Sequence, residues 1–197
     1  METAEDCALV YESSYWKNEL LVLAGEIARL QSWPIPEEGD CGEDLEFRLE
    51  RALLYSAFVI RILFESNKLT DKMSGMSVPL VLFPSLVDDW DKVSPVSKRF
   101  PDSKYFDWDN SSKTTMNVRS FSNQLIHGAT IITFEFDERD VPLGFLVTSD
   151  RGLNRGLFRC LFSDWLQVVR MIAADEVISY QVVFDRDKGK WTSCYVP

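Results

Sequence analysis

The sequence predicts an α+β fold in which an N-terminal helical bundle is followed by a mostly antiparallel β-sheet with one helix. In much of the first half, apolar residues recur every three or four positions, which is the period of a helix. After about residue 128 they alternate or form short runs between turn residues, which is typical of strands. The expectation is a single domain over residues 1–197, with a helical half at about 13–128 and a sheet-containing half at about 129–197.

Two amphipathic helices are predicted at the N-terminal end. The first begins near Ser13 and Ser14, which are candidate capping residues. The second is expected to begin at Asp44. From Ala52 to Phe64 this second helix is apolar on nearly all sides, so it is predicted to lie at the centre of the bundle.

Arg61 interrupts the apolar stretch of the second helix, and two interpretations are open. Glu65 follows one turn later, so the two side chains can form an ion pair at the surface. Alternatively, Arg61 is a cation that faces inward beside a site.

A third helix is predicted from Ser112 to His127, with Gly128 at the position after its end, where glycine adopts the left-handed conformation easily. The region before it, residues 70–112, is expected to contain a short apolar strand-like piece and a long loop. The loop is rich in aromatic residues, which are predicted either to pin it over the core or to form a docking surface. These residues are Trp90, Tyr105, Phe106 and Trp108.

The sheet-containing half is predicted to hold two hairpins, a further strand and a helix. The first hairpin pairs T-I-I-T-F-E-F with G-F-L-V-T-S-D, and the second pairs S-Y-Q-V-V-F with K-W-T-S-C-Y-V. Between them, L-F-R-C-L-F is a candidate strand. Ser163 or Asp164 is the candidate cap of the helix that follows.

The charge of the chain bears on its partners. With 21 Lys and Arg against 31 Asp and Glu, the net charge is −10. Binding to duplex nucleic acid needs clustered cations, so this balance disfavours it, although a local basic cleft remains compatible with it. An acidic surface suits a protein partner that is basic.

The sequence shows no membrane segment and no metal pattern. Its apolar runs are much shorter than the roughly 20 residues that a bilayer requires, and the acidic N-terminus lacks the features of a signal peptide. A cytoplasmic protein without a membrane partner is therefore expected. The four cysteines form no C-x-x-C pair and there is one histidine, so no cofactor or metal is expected. Cys160 and Cys194 lie in strand-like segments and are predicted to face the core.

Three aspartate-rich stretches could in principle bind a hard cation: D-D-W-D, D-W-D and D-E-R-D. None has the glycine and the spacing of a calcium loop. In so acidic a chain they are predicted to be solvated turns. Phosphate-binding glycine loops, a G-x-S-x-G elbow and an H-E-x-x-H motif do not occur in the sequence.

The candidate site lies on the third predicted helix, in the segment R-S-F-S-N-Q-L-I-H-G. Arg119, Asn123 and His127 are spaced by four residues and therefore form one polar stripe. Histidine is the residue type suited to acid–base chemistry near neutral pH. An arginine can stabilise a pentavalent phosphate anion and an asparagine can orient the imidazole. These groups suit metal-independent cleavage of RNA through the 2′-hydroxyl.

The spacing S-N-Q-L-I-H resembles the signature of HEPN proteins, a helical-bundle superfamily with many defence and toxin ribonucleases. Its motif is an arginine, a polar residue that is often asparagine, a few residues and a histidine, on a late helix. Asn123 and His127 match, whereas the motif arginine falls at Ser122, and Arg119 is the nearest replacement. The resemblance covers about residues 44–128 in architecture and two motif positions in identity.

The resemblance implies that active members dimerise, with both motif helices lining one cleft. Without the motif arginine, the anion would have to be stabilised by Arg119 or Arg61. The first hypothesis is therefore a binding and assembly protein with a degenerate motif and a basic protein partner, in a prokaryotic defence or toxin–antitoxin setting. RNA is a less favoured partner.

Two alternatives stay open. One is an active metal-independent endoribonuclease with His127 as acid and base, Asn123 as orienting residue and Arg119 as anion stabiliser. The other is a structural or scaffolding protein in which the stripe is incidental.

Overall fold

The structure is a computed structural model of the 197-residue chain. It describes residues 12–32, 41–99, 102–127, 131–186 and 189–196. Helices and a five-stranded antiparallel sheet are both present, which confirms the α+β class.

Two long helices and one of intermediate length supply most of the helical core, and three are short. Within the described residues they are α1 (Ser13–Leu30), α2 (Cys41–Glu65), α3 (Asp71–Ser74), α4 (Pro95–Arg99), α5 (Val118–Ile126) and α6 (Phe162–Ala173). Two single 3₁₀ turns lie at Trp90–Lys92 and Ser103–Tyr105.

The strands form one larger sheet and one separate hairpin. Along the chain they are β1 (Ser77–Pro84), β2 (Ser112–Asn117), β3 (Ile131–Phe136), β4 (Pro142–Thr148), β5 (Gly156–Leu161), β6 (Ser179–Asp185) and β7 (Lys190–Val196). The larger sheet has the order β2-β1-β5-β4-β3 with antiparallel neighbours, and β6 pairs with β7. Both predicted hairpins and the predicted strand β5 are therefore confirmed.

The main core lies between the helices and one face of the larger sheet. α1 packs against α2 and α6, and α2 packs against α5. Leu53 and Ile60 of α2 are fully buried, whereas Tyr55 and Phe58 are exposed, so the prediction of a central helix is confirmed for one face of α2 and wrong for the other. Trp165 of α6 is also fully buried, and its indole N–H donates to Ser56 Oγ at 3.0 Å. The bond satisfies two polar groups that would otherwise be buried without partners.

The predicted third helix is wrong over its first half. Ser112–Asn117 is strand β2, which pairs with β1 so that Met116 lies opposite Val78. α5 starts only at Val118, because the Asn117 side chain caps it by accepting from the Arg119 N–H at 3.0 Å. Gly128, the predicted end of the helix, lies outside the described residues.

The predicted boundary near residue 128 does not separate helices from sheet. β1 and β2 both precede it and belong to the same sheet as β3, β4 and β5. The sheet therefore draws strands from both predicted halves, and it places α5 beside the turn that follows β4.

Helix starts differ from the predictions by a few residues. α1 is preceded by Glu12 rather than capped by Ser13 or Ser14, and α2 begins at Cys41, upstream of Asp44. Ser163 and Asp164 lie in the first turn of α6, whose N-cap is Leu161. Differences of this size are usual at helix ends.

The aromatic loop before β2 is pinned to a second, smaller core. Trp90 and Phe106 are buried there with Phe83 and Leu157, and the Trp90 indole N–H donates to Ser85 Oγ at 2.9 Å. This supports the interpretation of the aromatics as anchors of the loop rather than as a docking surface.

A buried polar network joins α1, α3 and α6. The Lys17 ammonium is buried and donates to the backbone carbonyl of Asp175, just after α6. The Asp175 carboxylate accepts from the N–H and the hydroxyl of Thr70, both at 2.8 Å. Thr70 is fully buried at the start of α3. Burial lowers the pKa of Lys17 below the usual range of lysine, while Asp175 and Glu176 act in the opposite direction.

Candidate functional site

A polar cleft of about 590 Å³ opens where α2, α5 and the turn after β4 meet. We call it the His127 cleft. Its lining is polar throughout and consists of Arg61, Ser120, Asn123, Gln124, His127, Ser149, Asp150 and Arg151.

α5 presents one polar face to this cleft because Val118, Phe121 and Leu125 lie on its buried side, while Ile126 lies beside α2. Phe121 and Leu125 are buried in the main core. The polar residues of the cleft, Ser120, Asn123 and His127, stand at the spacing i, i+3 and i+7, which is one face of a helix. His127 is the C-cap residue of α5, and its N–H donates to the Asn123 carbonyl at 3.0 Å.

Arg61 of α2 reaches across to His127. Its Nη1 lies 3.1 Å from His127 Nε2, and its Nε donates to Glu65 Oε1 at 2.8 Å. The ion pair with Glu65 confirms the first interpretation of Arg61, and it also holds the guanidinium beside the histidine. The second interpretation, a cation beside a site, stays a prediction. Because arginine can only donate, this contact is a hydrogen bond in the tautomer of His127 that has its proton on Nδ1 and a free lone pair on Nε2.

The turn after β4 brings a second arginine, Arg151, to the cleft. The Ser149 N–H donates to Gln124 Oε1 at 3.0 Å, which ties this turn to α5. The Gly152 N–H donates to the Ser149 carbonyl at 2.7 Å. A side chain at Gly152 would place its Cβ 2.7 Å from Thr148 Oγ1 and 3.1 Å from Gln124 Oε1. Glycine is needed here for the close approach of the turn to α5.

The three residues of the predicted stripe are separated by the fold. Asn123 and His127 line the cleft, whereas Arg119 is exposed at the first turn of α5 and does not line it. Asn123 Oδ1 is buried and has no hydrogen-bond partner among the described residues.

Ser122 is fully buried on the core side of α5. An arginine at position 122 would therefore point away from the cleft. In this chain the cations at the cleft come from other elements, Arg61 and Arg151.

Sequence reasoning identified Arg61 as a candidate cation but missed Asp150 and Arg151. Their signal was the segment S-D-R-G-L-N-R-G, a turn with two arginines, which follows a predicted strand. Its position opposite α5 depends on the pairing of β4 with β5, which joins the two ends of this turn.

In two of the aspartate-rich stretches, the first carboxylate accepts hydrogen bonds within its own turn. The Asp107 carboxylate accepts from the backbone N–H and the side chain of Asn110, and Asp137 accepts from the N–H groups of Arg139 and Val141. These bonds lower the pKa of both carboxyl groups. Over the described ranges, no group of three or more His, Cys, Asp or Glu residues could hold a metal ion.

Cys160 lies fully buried in β5, as predicted, whereas the side chain of Cys194 lies outside the part of the chain that the structure describes. Burial raises the pKa of its thiol well above the usual range, with a smaller contribution from Asp164. The thiol is therefore a packing group and not a nucleophile.

The comparisons with known proteins give no match to a family model, to a curated protein or to a solved structure. The resemblance to HEPN proteins therefore stays a prediction. Among the helices of the described chain, none is both long enough and apolar enough to span a membrane.

Proposed function

We propose that the protein is a metal-independent endoribonuclease of the cytoplasm, with the His127 cleft as its active site. One observation carries the proposal: Arg61 holds its guanidinium 3.1 Å from His127 Nε2 inside a cleft that Arg151 and Asn123 also line. A candidate base and two guanidinium groups are thus gathered where a phosphodiester can enter.

The chemistry needs Arg61 to exchange partners. Without a ligand, Arg61 occupies the lone pair of His127 Nε2. A bound phosphate offers the guanidinium a charged acceptor with two oxygens, which is a stronger partner than the ring. When Arg61 turns to the phosphate, His127 Nε2 becomes free to accept a proton.

The reaction then proceeds in balanced steps. His127 Nε2 takes the proton of a ribose 2′-hydroxyl, and the 2′ oxygen forms a bond to phosphorus. Arg61 and Arg151 stabilise the charge of the pentavalent species. The bond from phosphorus to the 5′ oxygen breaks, and that oxygen takes a proton from water. The resulting hydroxide accepts the proton of His127, which leaves a 2′,3′-cyclic phosphate end and a 5′-hydroxyl end.

The test is cleavage of labelled single-stranded RNA by the purified protein in EDTA. We expect products with cyclic phosphate ends, and we expect His127→Ala to reduce the rate about 10²–10⁴-fold, the usual worth of a general base. Circular dichroism should be unchanged, because His127 is exposed. Arg139→Ala is the matched control, since it removes an arginine whose side chain is 85% exposed in the turn after β3.

Two results would contradict the proposal. One is that the wild type fails to cleave several RNAs in EDTA. The other is a rate that survives His127→Ala, which would point to a contaminating nuclease.

A second candidate function is binding and assembly with a basic protein partner. It is supported by the net charge of −10 and by a group of exposed and half-buried apolar side chains, which we call the α2 strip. The strip consists of Phe47, Leu54, Tyr55, Phe58 and Ile126. The prokaryotic defence setting and the homodimer that the HEPN resemblance implies belong to these proposals.

A further inference from the structure

The α2 strip is an apolar surface that the fold does not cover. Phe47, Tyr55 and Phe58 are 60%, 38% and 46% exposed. Leu54 and Ile126 are half-buried and complete a shallow depression of about 630 Å³. Because Ile126 precedes His127, the strip lies directly beside the cleft.

The aromatic part of the strip does not belong to the main core, whereas Leu54 and Ile126 pack against it. Phe47, Leu54 and Phe58 stand at the spacing i, i+7 and i+11, which is one face of α2. The opposite face, with Leu49 and Leu53, is already fully buried. Clustered aromatic side chains on a surface are typical anchors of protein interfaces.

The charges around the strip favour cations. Glu50 and Arg51 line the depression, and Arg51 is paired with Glu26 of α1 at 2.7 Å, to which Arg48 also lies at 3.8 Å. Glu46 and Glu50 are exposed on α2, and neither has an ion-pair partner among the described residues. The border of the strip therefore carries acidic charge that the protein itself does not balance.

We propose that the α2 strip docks an amphipathic segment of a basic protein. The apolar side of the segment covers Phe47 and Phe58, and its lysines or arginines face Glu46 and Glu50. A second copy of this chain fits this strip poorly, because it would set the exposed Glu46 and Glu50 of one copy against those of the other, so a homodimer would use another face. The inference rests on the second candidate function and does not depend on catalysis.

The experiment uses a fluorescent 18-residue peptide with leucine on one face and lysine on the other. A matched peptide has glutamate in place of lysine. We expect the wild type to bind the lysine peptide and not the glutamate peptide. The double variant Phe47→Ser and Phe58→Ser should bind it at least about tenfold more weakly. Val96→Ser and Ile178→Ser, at sites 71% and 78% exposed, are controls that should bind like the wild type.

The outcomes separate the site from the function. If the double variant binds the lysine peptide as tightly as the wild type, the strip is not the site, although binding to basic proteins survives. If the wild type binds neither peptide, or both equally, the proposal of a basic occupant is overturned together with the binding function that rests on acidity. Sedimentation that shows dimers only for the wild type would assign the strip to a second copy. Competition by single-stranded poly-U would assign it to RNA.

Discussion

Two clusters of polar side chains in this protein use similar groups for opposite purposes. In the buried network, the polar groups of Lys17, Asp175 and Thr70 bond to one another between three helices. In the His127 cleft, Arg61 and Arg151 lie at the surface. Buried polar groups need partners within the protein, so the first cluster serves the fold. A cleft with two guanidinium groups at the surface can exchange partners, so it is suited to a ligand. Changes in the first cluster should therefore affect stability, and changes in the second should affect activity.

The largest effect is expected from Arg61→Ala in the cleft. Loss of a guanidinium that stabilises the pentavalent phosphate should lower the rate of RNA cleavage about 10²–10³-fold. Stability should change by less than about 1 kcal/mol, because the lost ion pair with Glu65 is partly exposed. Single-turnover cleavage and urea unfolding measure the two quantities.

Arg61→Lys keeps the charge but loses the planar fork, so it should recover only part of the rate. If Arg61→Ala unfolds the protein instead, Arg61 is needed for stability, and the contrast between a cleft for activity and a buried network for stability is wrong.

The next effect is expected from Asp175→Ala in the buried network. The change removes both acceptors of Thr70, whose N–H and hydroxyl are then left without partners in a buried position. The expected loss of unfolding free energy is about 3 kcal/mol, measured by urea denaturation. RNA cleavage below the transition should keep the wild-type rate.

The control for this prediction is Glu176→Ala, which removes the neighbouring exposed carboxylate and should change stability by less than about 0.5 kcal/mol. Equal losses in the two variants would show that charge, and not the bonds to Thr70, is responsible.

Gly152→Ala should affect both activity and stability, because Gly152 lies where the turn that carries Arg151 packs closely against α5. Its Cβ would meet Thr148 Oγ1 of β4 at 2.7 Å and Gln124 Oε1 of α5 at 3.1 Å, so the turn that carries Arg151 must shift relative to both elements. We expect a loss of about 1–2 kcal/mol of stability and a decrease in cleavage rate of about tenfold.

Gly25→Ala is the contrasting change, since nothing lies within 4 Å of its added Cβ in α1. Alanine has a higher helix propensity than glycine, so this variant should be about 1 kcal/mol more stable than the wild type and equally active. An active and stable Gly152→Ala protein would refute the role of the close approach.

A smaller effect is expected from the charge of Lys17. Burial lowers its pKa in the folded protein, so over the range between the folded and the ordinary pKa the unfolded chain binds more protons. The contribution of Lys17 to stability therefore rises with pH in that range.

Lys17→Met lacks this titration. We expect the stability of the wild type relative to Lys17→Met to increase from pH 7 to pH 10, as measured by urea denaturation at each pH. A constant difference would mean that Lys17 keeps its ordinary titration and that its burial carries no electrostatic cost.

Elements with a strong local pattern could be predicted from the sequence, and elements that depend on distant partners could not. The apolar period of α2, the alternation in β3 and the strand-like apolar run of β4 are local, and these predictions are confirmed. Residues Ser112–Asn117 continue the polar stripe of a helix, but they pair with β1, which lies about 35 residues earlier in the chain. The spacing of apolar and polar residues within a segment does not show that it pairs with a distant strand.

The same limit applies to the site. Asn123 and His127 were identified because they lie four residues apart on one helix. Arg151 could not be identified, since the connection of β4 to β5 and the bond from Ser149 to Gln124 place it.

The smallest effect is expected at Arg119, the residue that the sequence pattern favoured as the anion stabiliser. It lies in the first turn of α5, where its N–H bonds to Asn117, and its exposed side chain does not line the cleft. Arg119→Ala should keep the cleavage rate within about twofold and the stability within about 0.5 kcal/mol. Measured beside Arg61→Ala, it compares two arginines of equal charge that differ in their distance from His127. If Arg119→Ala loses as much activity as Arg61→Ala, the rate depends on the general positive charge of this surface and not on the guanidinium that Arg61 holds at His127.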